Sequence, residues 1–304
     1  MANIKLTTAD TAGFIPQAWA QRALDILRSA MCLARIVAKD NECEPGWQGK
    51  TLNIPYPGTF TAQSKSADTP ATVQVPSGGA TVQVTLNSHQ YVDFIVEDFA
   101  AAQANTNLMD RYVRGAAIAL GNKVEDDLFA LYSSLSTSVG TSGTDISAST
   151  IRSARKKLND NLAPTDGRAL IVSSKDEIAL LGDTSLQTYF AFADPQKVAE
   201  GSMGRPLYGF DVYMSQRVPI VAGSPNSTKC LALCRDAFIL ATRPFRDLPP
   251  GSGVQATTIS DPETGLIIRV VYQYDIANRG MRVGFDILYG VALLRDPLAT
   301  VVLT

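Results

Sequence analysis

GKTLNIPYPGTFTAQSKSADTPATVQVPSGGATVQVTLNSHQ, residues 49–90, is the stretch on which the fold turns. It is built from Thr, Ser, Gln, Gly, Pro and Val, with apolar side chains alternating at Leu52 and Ile54, at Val73 and Val75, and at Val82, Val84 and Leu86. A period of two belongs to strands, whose successive side chains point to opposite faces. Pro55, Pro57, Pro70, Pro76 and the pair Gly78-Gly79 punctuate these runs, so the spacing predicts a long hairpin arm with extended, irregular turns. A two-stranded ribbon is marginal alone in water and needs a surface to lie on. No strongly apolar partner lies close by in sequence, which makes a neighbouring subunit the candidate surface.

Downstream, Tyr91 to Val96 continues as a strand, and Asn107 to Leu135 carries the longest helical pattern of the chain. Its apolar face runs through Leu108, Tyr112, Ala116, Leu120, Val124, Leu128, Leu131 and Leu135, in steps of three or four. About 29 residues at 1.5 Å each would make a rod of roughly 43 Å. Gly115 and Gly121 lower helix propensity and predict close packing of another element there. Upstream, Ile15 to Val37 has the same helical spacing, with Pro16 in the tolerant first turn, preceded by a polar arm.

Ser133 to Ser149, rich in Ser, Thr and Gly, reads as a boundary. An alternating stretch follows: helix 148–162, strand 169–173, helix 175–182, and strands near 207–215, 229–233 and 237–242. Arg243 to Gln255 is a second hinge-like loop. The remainder returns to strands at 267–274, 280–286, 289–294 and 300–303, the first entered through the turn Asp261-Pro262-Glu263-Thr264-Gly265. The predicted class is α+β, divided as 1–48 arm and helix, 49–90 extended loop, 91–135 rod-bearing domain, 136–242 inserted domain and 243–304 return strands.

The 304 residues suffice for about two lobes. With 27 Lys and Arg against 29 Asp and Glu, no net field draws in a polyanion or an anionic membrane. No run of about 18 apolar residues is present, and Met1 to Asp10 lacks the basic-then-apolar order of a secretory signal, so a soluble chain made in the cytoplasm is expected. Cys32, Cys43, Cys230 and Cys234 are too few and too scattered for a disulfide scaffold and are expected to be reduced.

Catalytic equipment is sparse. Any Ser/His/Asp or Cys/His device must use the single histidine, His89, at the end of a predicted strand, where an ordinary hydrogen-bonded histidine is the plainer reading. Cys230 and Cys234 share a strand face, but no second pair completes a zinc tetrahedron, so both read as buried thiols. Ser153-Ala154-Arg155-Lys156 matches a Ser-x-x-Lys pattern without its companion motifs and reads as a basic helix face. Asp126 and Asp127 splay about 100° apart on a helix and so are expected to be solvated or paired with bases. Arg152, Arg155, Lys156 and Lys157 form the densest basic cluster, without interleaved aromatics for stacking bases. Neither a P-loop nor a dinucleotide fingerprint occurs. Catalytic, cofactor-binding and metal-binding residues are therefore all expected to be none.

The order of elements, an arm and helix, a long hairpin, a rod helix, an α+β insertion and a strand-rich return, resembles the major capsid protein family of tailed bacteriophages, the Hong Kong 97 capsid fold. Local wording is similar too: Gly49-Lys50-Thr51-Leu52-Asn53-Ile54-Pro55 entering the hairpin, Asp110-Arg111-Tyr112 opening the rod, Leu207-Tyr208-Gly209-Phe210-Asp211-Val212 followed by Val218-Pro219, and Arg279-Gly280-Met281-Arg282 with Gly284 and Gly290. The resemblance implies that 49–90 lies across a neighbouring subunit, that the rod is the spine helix of a peripheral domain, and that 136–242 is an axial domain. It implies pentamers and hexamers closing into an icosahedral virion shell around double-stranded DNA, with only weak, non-specific contact to that DNA. A separate scaffolding protein, a portal and a decoration protein are the implied partners, with assembly in the host cytoplasm and no membrane. In some members a lysine of the extended loop forms a covalent cross-link, a part for which Lys65 is the amine available. The alternatives are an encapsulin-type nanocompartment shell, a tail or head-completion ring protein, and a cytoplasmic hydrolase built on Ser153, Lys156 or His89.

Overall fold

The computed structural model describes residues 21, 23, 25–26, 31–40, 51–56, 60–71, 73, 75, 80–98, 108–183, 186, 206–246, 248, 253–261 and 264–304. In chain order the elements are α1 (Leu33–Ile36), β1 (Ala38–Asp40), β2 (Thr51–Tyr56), β3 (Ala80–Thr85), β4 (Ser88–Glu97), α2 (Leu108–Ala130), β5 (Ser138–Gly140), α3 (Ala148–Asp160), β6 (Arg168–Val172), α4 (Ser174–Gly182), β7 (Asp211–Met214), β8 (Ile220–Val221), β9 (Ser227–Cys234), β10 (Phe238–Thr242), β11 (Gln255–Ser260), β12 (Ile267–Asp275), β13 (Gly280–Leu293) and β14 (Ala299–Leu303).

The predicted strands 280–286 and 289–294 are one unbroken strand, β13, and it is the axis of the first sheet. That sheet has the order β1-β10-β13-β12-β11, and β4 also pairs with β13. Three glycines of β13 let its neighbours approach. A Cβ on Gly280 would lie 2.6 Å from the Val96 carbonyl oxygen, one on Gly284 would strike the Asp93 carboxylate, and one on Gly290 would strike the Thr85 carbonyl oxygen. The rod α2 packs across β4 and β13 through Val113, Ala116, Ala117, Leu120, Val124, Leu128 and Phe129, all buried at helical spacing. Phe94 stacks on Phe285 with ring centroids 6.3 Å apart, and the Tyr289 hydroxyl donates to Asp127 Oδ2 at 2.7 Å.

The second sheet has the order β5-β14-β9-β6-β7, with β8 on β9. β6 and β9 are buried almost throughout, which explains their continuous apolar runs. α3 covers this sheet with Ala148, Ile151, Ala154 and Leu158. Ser173 caps α4, accepting the Asp176 N–H at 3.2 Å and donating its own hydroxyl to Asp176 Oδ2 at 2.6 Å.

Sheet membership divides the chain differently from the boundary predicted at 242. β10 belongs to the first sheet, so the chain leaves the second sheet across the short 3-10 turn Arg235–Ala237. It returns across a second turn, Asp296–Leu298, so that β14 lies between β5 and β9 and not with the preceding return strands. The two crossings touch, since the Leu294 and Arg295 N–H groups both donate to the Ala237 carbonyl at 2.8 and 3.1 Å. A third crossing, after α2, joins them where the Ser136 N–H donates to Asp296 Oδ1 at 2.9 Å.

Other departures have local causes. The predicted helix 15–37 is not continuous: Met31 and Cys32 leave the helical pattern, α1 is a single turn, and the chain then extends into β1. Residues 21, 23, 25 and 26 are helical, and the rest of that prediction before Met31, Pro16 included, lies outside the described residues. The rod runs through 108–130 and continues as a 3-10 turn to Ser134, close to prediction. Gly115, however, faces open space, so close packing does not explain it. Within the turn 261–265, Asp261 Oδ2 accepts from the Thr264 N–H at 3.1 Å and its hydroxyl at 2.5 Å, and Gly265 takes the positive φ of 74° that the turn needs.

Candidate assembly surface

The hairpin is two structures in series. At its root β2 and β3 pair with Leu52 opposite Val84 and Ile54 opposite Val82. Val84 and Leu86 are buried against Ile239 and Ala241 of β10, with Leu52, Ile54, Ala292 and Leu294 closing the cluster. This surface is supplied by the chain itself, which corrects the expectation that the whole ribbon must find its support elsewhere.

The described pairing reaches Tyr56 and Ala80. Residues 60–71, 73 and 75 are all exposed and none is a strand, so the strand predicted at Val73 and Val75 does not form. Phe60, Val73 and Val75 are 71, 92 and 88% exposed. Burying one Phe and two Val would release roughly 5 kcal/mol, which this chain leaves ungained. Local order in this segment includes a bond from the Thr69 hydroxyl to the Ser66 carbonyl at 2.9 Å, next to Asp68 at a φ of 61°. Lys65 sits exposed just before this turn.

The face of the first sheet carrying the odd-numbered side chains of β4 is also open. Tyr91 is 66% exposed, and Ile95 beside it is partly bare. Around them, Arg282 pairs with Asp93 at 2.6 Å, and Arg269 pairs with Asp286. Phe245 lies between Arg269, whose guanidinium is 4.2 Å from the ring centroid, and His89, whose ring is 4.8 Å away. This holds the start of the 243–255 loop against the sheet. Exposed Leu162, Ile178 and Ile220 lie around the second sheet.

The residues singled out for chemistry are engaged separately. His89 Nε2 lies 3.7 Å from Asp286 Oδ2 on the first sheet. On α3, the Ser153 hydroxyl donates to the Ser149 carbonyl at 3.0 Å and Lys156 pairs with Asp160 at 2.6 Å, so the Ser-x-x-Lys pair is not assembled. Arg152, Arg155 and Lys157 are exposed on the same helix, with Arg152 5.9 Å from the Tyr208 ring centroid. Asp126 forms a two-bond pair with Arg217, while Asp127 accepts from Lys123 at 2.6 Å, as expected of carboxylates paired with bases.

Cys230 and Cys234 are buried free thiols on β9. Burial first, then the Asp176 carboxylate 3.1 Å from its sulfur, pushes the Cys230 thiol far up, and burial also raises Cys234. Both are poor nucleophiles in consequence. Cys43 lies outside the described residues. Among the described residues no group of three or more His, Cys, Asp or Glu is placed to hold a metal, and no helix is long and apolar enough to cross a membrane.

Two buried acids were not anticipated. Asp176 gathers the Ser173, Cys230 and Thr304 side chains on one oxygen, and Glu125 lies under α1. Glu125 follows Val124 within an apolar helical face, and its position there was the available signal.

A family model described as phage capsid protein matches residues 79–303. A structure of Mycobacterium phage Che8 is similar over 89% of this chain and 90% of that one, with 17% identity and a TM-score of 0.62. The capsid structure of the cyanophage P-SCSP1u is similar over 88% of this chain and 86% of that one, at 14% identity and a TM-score of 0.63. The capsid of Ralstonia phage GP4 is similar over 88 and 87%, at 13% identity and a TM-score of 0.62. No curated protein sequence matches. Identities this low speak to the fold.

Proposed function

The chain belongs to the phage capsid protein family, and from that premise we propose that it assembles as pentamers and hexamers into the icosahedral head of a tailed phage, enclosing double-stranded DNA. The observation that carries the assembly is the hairpin tip, where Phe60, Val73 and Val75 are more than two-thirds exposed on a segment that has left its own sheet. Exposed apolar side chains grouped on a projecting arm mark a protein–protein contact. A copy of the same chain is the partner always present at matching concentration during head assembly.

In this reading 49–90 is the extended loop reaching across a neighbour and α2 is the spine. The first sheet is the core of the peripheral domain, and the second sheet, including β14, is the core of the axial domain. The near-balanced charge suits a wall that touches its genome weakly, with Arg152, Arg155 and Lys157 as the exposed cations available to phosphates. A separate scaffolding protein, a portal and a decoration protein are the proposed partners. The site of assembly is the host cytoplasm and the final location is the virion. Structural duty fits a molecule whose Ser153, Lys156 and His89 are engaged apart from one another.

Electron microscopy of the purified chain, alone and co-expressed with neighbouring genes, tests this. Closed polyhedral particles with five- and six-fold clusters are expected. A stable monomer, or rings and tubes alone, would overturn it.

A further inference from the structure

Glu125 stands in the C-terminal third of α2 and is 0% exposed. Its Oε1 accepts the Ala34 N–H at 3.1 Å, and the neighbouring backbone N–H groups of Leu33 and Cys32 favour the charged form from the same side. Oε2 is buried with no hydrogen-bond partner among the described residues. The segment it holds is otherwise seated by apolar burial, with Met31, Leu33, Ala34 and Val37 at 2% exposure or less. Cys32 makes no side-chain cap for α1, so this carboxylate from another element takes that place. Immediately beyond, β1 forms the edge of the first sheet, parallel to β10. One acid thus ties a chain segment 91 residues distant, and the sheet edge it leads into, to the rod.

We infer that Glu125 is a proton-operated latch: protonated, it seats residues 31–37 on α2, and ionised, it loosens that seat and the β1 edge with it. A buried oxygen without a partner is costly as part of a charge and far cheaper as part of a neutral acid. Burial accordingly pushes Glu125 up to about 7, against the pull of the three backbone N–H groups, and Asp126 adds in the same direction.

The groups around it are Cys32 from the seated segment, which Arg35 of the same segment also approaches, Asp126 from its own helix and Arg217 from the turn after β7. The Cys32 thiol is pushed up to about 12 by burial and stays neutral. Arg217 is bonded to Asp126, and guanidinium groups keep their charge at any pH a protein survives. Because the acid is raised when seated, its stabilising effect is complete below the ordinary carboxylate value near 4.5 and is lost as the pH climbs through about 7. Opening of the segment should therefore increase by roughly one to two orders of magnitude between pH 5 and pH 8.

Hydrogen exchange on the full chain tests this, following the amides of residues 31–40 from pH 5 to 8.5 after correction for intrinsic exchange. The natural chain should lose protection with a midpoint near neutrality, while residues 116–130 of α2 keep theirs. Glu125→Gln, which keeps an acceptor oxygen but cannot ionise, should abolish the pH dependence, and Asp126→Asn should retain it. A flat profile in the natural chain, an unchanged slope in Glu125→Gln, or loss of the slope in Asp126→Asn would each overturn the latch. Should Glu125→Gln not fold, the natural profile and Asp126→Asn still decide.

Discussion

Root and tip of the hairpin carry the same kind of sequence and adopt different states. Val82 and Val84 alternate as Val73 and Val75 do, yet only the first pair lies in a strand. The root has Ile239, Ala241, Ala292 and Leu294 beneath it. The tip, among proline interruptions, is left exposed by the described residues. A strand is fixed less by alternation than by a face to lie against. The bare half of the ribbon carries Phe60, Val73 and Val75 exposed.

The difference can be attacked from either end. The largest effect is expected from Phe60→Ser, Val73→Ser and Val75→Ser together. Shells should disappear in electron microscopy and sedimentation while the urea stability of the chain stays within about 0.5 kcal/mol, since exposed positions contribute little to folding. Shells that survive this triple change would erase the distinction between the two halves. At the root, Ile239→Ala should cost about 2–5 kcal/mol in urea denaturation, because it empties the surface under Val84 and Leu86. Gly290→Ala, whose new methyl must displace the Thr85 backbone, should cost about 1–3 kcal/mol by the same measurement. The smallest change is a gain: Gly115→Ala meets open space on an exposed helical turn and should stabilise by about 0.5–1 kcal/mol.

Much of the architecture is legible in the residues. Steps of three and four located α2 to within a turn, and β4 was found as a strand with one buried face and one bare one, whereas β13 is buried without a break over Val283–Ile287. The turn at 261–265 falls where its residues suggest, while of the strand read near 207–215 only Asp211–Met214 forms and Leu207 to Phe210 make a bridged turn. What was not legible are pairings between distant segments. Nothing in Ala299 to Leu303 says that it belongs between β5 and β9, and nothing in Phe238 to Thr242 says that it leaves the strand just before it for another sheet. The support under Val84 was hidden for the same reason, since Ile239 lies far along the chain. Glu125 shows the limit at a single position: a carboxylate inside an apolar stripe is visible, but which backbone it holds is not.

The placement of β14 has a consequence for the order of events during synthesis. Residues 299–303 occupy an interior position of the second sheet, flanked by strands made long before them. Until they emerge from the ribosome, β5 and β9 face a gap where a neighbour should be, and the apolar backs of Val301 and Val302 are missing from the core. Closure of that half therefore comes late, through contacts of high sequence separation, which form slowly. A chain cut short of Ala299 would leave that half of the molecule without an interior strand and with part of its core unfilled.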